Sequence, residues 1–138
     1  MLEGASEAAD RAATWIECVF LTSSHADVAA VARLVSASGI RIHHARTLEQ
    51  ADFMLLVSGA KVLLADAGAA WSEAQDMLAR VHPGTELVLA VADWSESWAD
   101  AAYEVVQKPF GAEELKRTLT NAHAVARARS VRRRRAVT

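Results

Sequence analysis

Five short apolar runs, each followed by a stretch with helical spacing, constrain this chain more than any other feature it has. The runs are Glu17–Leu21 (ECVFL), Ile40–His44 (IRIHH), Lys61–Ala65 (KVLLA), Glu86–Val91 (ELVLAV) and Glu104–Gln107 (EVVQ). Three of them are almost continuously apolar, as strands are when a parallel sheet is covered on both faces. Between the runs the period changes. Val28, Val31, Leu34 and Val35 share one face of a first helix, which ends at Gly39, a residue that tolerates a left-handed turn. Thr47 with Gln50 three residues on makes a capping box for a second helix, closing at Gly59. Residues Trp71 to Val81 form a third, stopped by Pro83-Gly84. Gly111-Ala-Glu-Glu opens the last, with acids facing the positive end of the helix dipole, and Leu115, Thr118, Leu119, Ala122, Val125 and Ala126 make its buried stripe. The order is (βα)5, and right-handed crossovers place helices on both faces of a doubly wound five-stranded parallel sheet.

A chain of 138 residues, 52% hydrophobic and 23% charged, fits one such domain with a single core. Its apolar runs are too short to span a bilayer and its first residues lack a basic-then-apolar export pattern, so a cytoplasmic location is expected. The single cysteine, Cys18, lies inside CVFL and reads as a small buried hydrophobe. The net charge of −2 hides an asymmetry. Six of the fifteen basic residues lie in residues 127–138, which leaves nine against all seventeen acids in residues 1–126, a net charge there of −8. Residues 1–14 read as a mobile lead-in, residues 15–126 as the folded body and residues 127–138 as a basic tail.

In an open parallel sheet, ligands and chemistry gather at the carboxyl ends of the strands, near the point where strand order reverses. That rule singles out Thr22, Ser23 and Ser24 after the first strand, Asp66 after the third, Ala92, Asp93 and Trp94 after the fourth, and Lys108-Pro109-Phe110 after the fifth. Asp66 and Lys108 should meet there, a carboxylate facing an ammonium. No glycine-rich phosphate loop or nucleophile–base pair accompanies these loops, so no enzyme active site is expected.

Over roughly residues 16–126 the chain resembles the receiver domain of bacterial response regulators, a flavodoxin-like fold. VLLAD, ending in Asp66, resembles the family's phosphoacceptor segment, and VVQKPFGAEEL resembles its lysine-proline-phenylalanine segment; HHARTLEQA matches the passage into the second helix. The resemblance implies that Asp66 is the phosphoacceptor and that Lys108 contacts the acyl phosphate, aimed by a cis bond to Pro109. The departures carry as much weight. Where receivers place the acid pair that holds Mg2+ with the phosphoacceptor, this chain has Thr22, Ser23 and Ser24, and hydroxyls replace carboxylates poorly around a hard cation. Weak or absent Mg2+ binding, and no other cofactor, is the expectation. Val91 stands where a hydroxyl would meet the phosphoryl group, and Val105 where the switch aromatic would stand, with Tyr103 two residues earlier. The segment from Val91 to Lys108 is shorter than usual, and no Met-Pro follows Asp66. The expected function is an atypical receiver in phosphorelay (two-component) signal transduction, acting as a phosphorylation-independent protein-interaction module. The alternative is a working receiver phosphorylated on Asp66 by a histidine kinase.

Several features have a plainer reading beside the functional one. Asp66 and Lys108 would also pair for purely structural reasons, since a buried acid without its metal still needs a partner. His43 and His44 point to opposite faces of a strand and lack a third ligand for a metal. Trp71, Trp94 and Trp98 are candidates for a partner-binding surface, or else core packing. The arginine tail is a helical extension, a linker or a polyanion-binding arm. The expected partners are a signalling protein, either a histidine kinase or an output protein, or a second copy of the chain. The tail adds nucleic acid as a weaker candidate, and no membrane partner is expected.

Overall fold

The computed structural model describes residues 15–67, 71–93 and 104–137, with side chains as far as Arg132. Strands β1 (Ile16–Leu21), β2 (Ile40–Ala45), β3 (Val62–Asp66), β4 (Glu86–Val91) and β5 (Glu104–Gln107) form one sheet. All four pairings are parallel and the order is β2-β1-β3-β4-β5. The helices are α1 (His25–Val35), α2 (Leu48–Ser58), α3 (Trp71–Val81) and α4 (Ala112–Val137), and a short 3-10 turn, Ser36–Ser38, follows α1. The strand bounds differ from the sequence reading by at most one residue. The third strand runs one residue further, so Asp66 is its last member, in register with Ala90.

Strand alternation sorts the apolar side chains into two layers. Val19, Leu21, Leu63, Ala65, Leu87, Leu89 and Val91 face α2 and α3, where Ala51, Leu55, Ala74, Met77 and Leu78 close the layer. Cys18, Phe20, Val62, Leu64, Val88, Ala90 and Val106 face α1 and α4, against Val31, Val35, Leu115, Leu119 and Ala122. The strands thus need apolar residues at nearly every position, as their composition implies.

Local chemistry sets the helix ends. Thr47 Oγ1 accepts from the Gln50 amide, and the Gln50 side chain accepts in return from the Arg46 amide, one residue ahead of the Thr47 amide that a strict capping box would use. Gly59 closes α2 at φ +67°, a conformation that favours glycine. One expected core position fails: Val125 is 45% exposed. Leu115, Thr118, Leu119, Ala122 and Ala126 form the buried stripe of α4, and Val125 lies roughly 80° around the axis from its centre. Helix α4 itself crosses residues 126 and 127 without a break and carries the arginine-rich segment as far as Val137. Helix α2 leaves Phe53, Leu56 and Val57 exposed on its outer side. No described helix is long and apolar enough to cross a membrane.

Candidate functional site

The chain leaves β1 to one side, into β2, and returns on the other side of β1 as β3, so the strand order reverses between β1 and β3. The crevice beyond their carboxyl ends is where an open parallel sheet places its ligands. Thr22 lies just past β1 and Asp66 ends β3, so both stand at that crevice. Lys108 arrives from the end of β5, its amide donating to the Val91 carbonyl at 2.8 Å. The Lys108–Pro109 peptide is cis. Phe110 packs edge-on against Phe20 of the core, 6.5 Å between ring centres, and fixes the far side of this turn.

The Lys108 ammonium bridges two carboxylates. Its Nζ lies 2.8 Å from Asp66 Oδ2 and 2.7 Å from Asp27 Oδ2. The buried Thr22 hydroxyl donates to the same Asp66 oxygen at 3.2 Å. Burial pulls the Lys108 ammonium down, but the hydrogen bonds and charges of Asp27 and Asp66 outweigh it and hold its pKa above the ordinary 10.5. Lys108 is therefore charged at neutral pH, and one positive charge is shared by two negative ones.

Asp27 is absent from the sequence reading. It sits in the first turn of α1, whose N-cap is Ser24; the Ser24 hydroxyl accepts from the Asp27 amide at 3.1 Å. A side chain in a helix leans toward the amino terminus, so an acid in the first turn points back to the loop it came from. The signal was present as Ser24-x-x-Asp27, a cap followed by an acid, directly behind the loop at the crevice.

The three hydroxyl residues after β1 separate into different roles. Thr22 touches Asp66 and accepts from the Ser24 amide at 3.1 Å, Ser24 caps α1, and Ser23 is exposed. Pro109 is exposed. The Val91 side chain is buried with the layer under α2 and α3, and what it offers Lys108 is its carbonyl. Val105 packs against the same layer. Trp71 opens α3 and is half-buried against that layer, whereas Trp94, Trp98 and Tyr103 lie outside the described residues.

The histidines of β2 have protein partners. His43 bonds to Glu17, and His44 Nε2 donates to the Thr22 carbonyl at 2.8 Å while its ring meets His25 edge-on at 5.1 Å. Among the described residues no three His, Cys, Asp or Glu side chains cluster as a metal site would need. Cys18 is fully buried, and burial pushes its thiol up to about 12.

No family model matches this sequence, and no curated protein matches it. Solved structures do. A signal receiver domain of an HD-domain-containing protein from Pseudomonas fluorescens superposes with a TM-score of 0.71 at 19% identity, over 83% of this chain and 98% of that one. A response regulator from Thermotoga maritima gives 0.68 at 15% identity, over 80% and 98%. NtrX from Brucella abortus gives 0.77 at 18% identity, over 88% of this chain and 29% of that longer one. The parallel order β2-β1-β3-β4-β5, the crevice between β1 and β3 and these superpositions agree: this chain has the flavodoxin-like fold of response-regulator receiver domains.

Proposed function

We propose that the chain is an atypical receiver module of phosphorelay (two-component) signalling that engages a protein partner without phosphorylation. The observation that carries this reading is the Lys108 ammonium seated on both Asp66 and Asp27, beside a hydroxyl rather than a carboxylate after β1. Mg2+ needs carboxylates or phosphates to offset its dehydration. Here the two carboxylates near the crevice are already neutralised in part by an ammonium at hydrogen-bond distance, and a cation would have to displace it. Weak or absent Mg2+ binding follows from that donor set. Phosphoryl transfer to a carboxylate rests on positioning and charge neutralisation, so a site poor in metal transfers slowly. Val91, buried and apolar, brings no hydroxyl to a phosphoryl group, and Val105 brings no aromatic rotamer to a switch. Without contacts that differ between two states, a bound phosphate shifts no equilibrium.

A second reading keeps Asp66 as a phosphoacceptor for a histidine kinase. The Asp66 side chain retains 23% exposure at the mouth of the crevice, and Lys108 stands ready beside it, which favours that reading. Intact-mass measurement after incubation with Mg2+ and acetyl phosphate separates the two. Unchanged mass is the expected result. A phosphoryl adduct that disappears in Asp66→Asn sinks the first reading and establishes the second.

A further inference from the structure

We infer that the carboxyl-terminal part of α4 is a docking surface for duplex nucleic acid, held through its phosphates rather than its bases. Arg127, Arg129, Arg132, Arg133, Arg134 and Arg135 all lie on one continuous helix that runs to Val137. From Leu115 to Thr138 the sequence contains no Asp or Glu, so no acid one turn away shields these charges. Among the described residues only Arg129 is committed, to Glu86 and to the Pro83 carbonyl. That anchor marks where the helix leaves the body. Ser130 comes close there to Gly84, where an added Cβ would meet its Oγ at 3.0 Å, and Lys61 lies near the same point and adds a positive charge. Past Ser130 the described side chains, Val131 and Arg132, are exposed, and residues 131–137 carry the helix about 10 Å further.

The distribution of charge selects the partner. Successive residues step about 100° around a helix, so the six arginine positions spread over nearly the whole circumference and leave no apolar stripe. A helix lying in a lipid interface needs such a stripe, and so does one filling a hydrophobic protein groove. A DNA major groove is about 12 Å wide, admits a helix and lines it with phosphates on both walls. Those surroundings suit a helix charged on every side. Guanidinium groups match phosphate oxygens in pairs, and the acidic body, −8 over residues 1–126, is repelled by the same phosphates, so only the helix end makes contact.

Fluorescence anisotropy of a labelled mixed-sequence duplex, titrated with the full chain at about 50 and about 200 mM KCl, tests the assignment. Four phosphate contacts at about −0.9 each give a log–log salt slope of about −3.6, so affinity should fall on the order of 10²-fold over that range. Arg132→Gln, Arg133→Gln, Arg134→Gln and Arg135→Gln combined should abolish binding with helix content unchanged, and the four Lys replacements should retain it. Duplexes of unrelated sequence should bind alike. Absence of binding at the lower salt, a slope shallower than about −1 or Gln-variant binding equal to wild type overturns the assignment. Tighter binding to phosphatidylglycerol vesicles than to the duplex overturns it in favour of a membrane.

Discussion

Replacing Lys108 by Met should cost stability in a manner that depends on pH, and the size of the effect can be bracketed from the cluster itself. The substitution keeps most of the side-chain volume and removes the charge, so Asp27 and Asp66 lose the ammonium between them. Exposed ion pairs contribute about 0.2–1 kcal/mol, and removing one partner of a buried pair costs about 3–5 kcal/mol. The three side chains are 23%, 23% and 28% exposed, nearer the buried limit but still solvated, which places the loss at about 2 kcal/mol. For a domain of this size that lowers Tm by about 6–10 °C.

The pH dependence tells this loss from ordinary repacking. In the wild type, the Lys108 pKa is raised, so its contribution is complete below the ordinary 10.5 and fades only as pH rises through the folded value. Neutral and mildly acidic solutions leave it intact. In Lys108→Met the two carboxylates face each other without a counter-charge, and their repulsion is present only while both are charged. The stability difference should therefore be largest near neutral pH and shrink toward about pH 4, and Asp27→Asn in the same background should recover part of it. Urea melts followed by circular dichroism measure both quantities. A loss below about 0.5 kcal/mol near neutral pH, or one that does not change with pH, refutes the claim that the three groups form one electrostatic unit.

The Cys18 thiol, fully buried and pushed up to about 12, should not react with an aromatic disulfide reagent at neutral pH until the protein is unfolded in urea. His123 is held below its ordinary 6.5 by burial first and then by the charges of Arg127 and Lys61. Its neutral form is favoured in the folded state, so wild-type stability should fall as pH drops through about 6.5, and His123→Gln should flatten that part of the Tm profile. Thr22 is the hydroxyl that touches Asp66, so Thr22→Asp with Ser23→Asp is the replacement that should create a carboxylate site beside it. Calorimetry should then show Mg2+ affinity at least about tenfold above wild type, about 1.4 kcal/mol, and unchanged affinity would remove the loop after β1 from the site.

Much of the fold was legible because both layers of the sheet are apolar. Strands such as β3 and β4 alternate between two cores and so carry hydrophobic residues at nearly every position, a pattern that turns and amphipathic helices do not imitate. Lys108 and Asp66 were legible from topology alone, since Asp66 ends β3 and Lys108 directly follows β5, both at the carboxyl edge of the sheet. Asp27 was not, because its sequence position reads as a first-turn acid on a helix, a role it fills equally well. Only the backward lean of a first-turn side chain, combined with the closeness of α1 to the crevice, brings it to Lys108. Thr22, Ser23 and Ser24 could not be told apart by type, as their roles depend on which one begins the helix and which one still follows the strand's alternation. Val125 misled for a related reason: helical spacing widens the apparent stripe of α4, whereas the sheet covers only the line from Leu115 to Ala126.

The same cluster accounts for a receiver fold that carries the lysine and the strand-end aspartate without the usual acids after β1. Once Lys108 is shared between Asp66 and Asp27, with Thr22 donating to Asp66, every single replacement leaves a charge or a polar group short of a partner in a site only about a quarter exposed. Loss of Asp66 leaves Lys108 on Asp27 alone, and loss of Lys108 leaves two acids in mutual repulsion. Only a concerted exchange of all three for well-packed apolar groups escapes the penalty. The pair is therefore held in place by electrostatics whether or not phosphate ever reaches it, so the presence of Asp66 and Lys108 cannot by itself count as proof of phosphorylation. The groups that would discriminate are less constrained: Ser23 after β1, Val91 at the end of β4 and Val105 on β5 can each change without stranding a charge, and a change at Thr22 costs Asp66 one hydrogen bond but leaves its counter-charge in place. On the proposed reading these four, hydroxyls at Thr22 and Ser23 and valines at Val91 and Val105, are what leaves the module independent of phosphate.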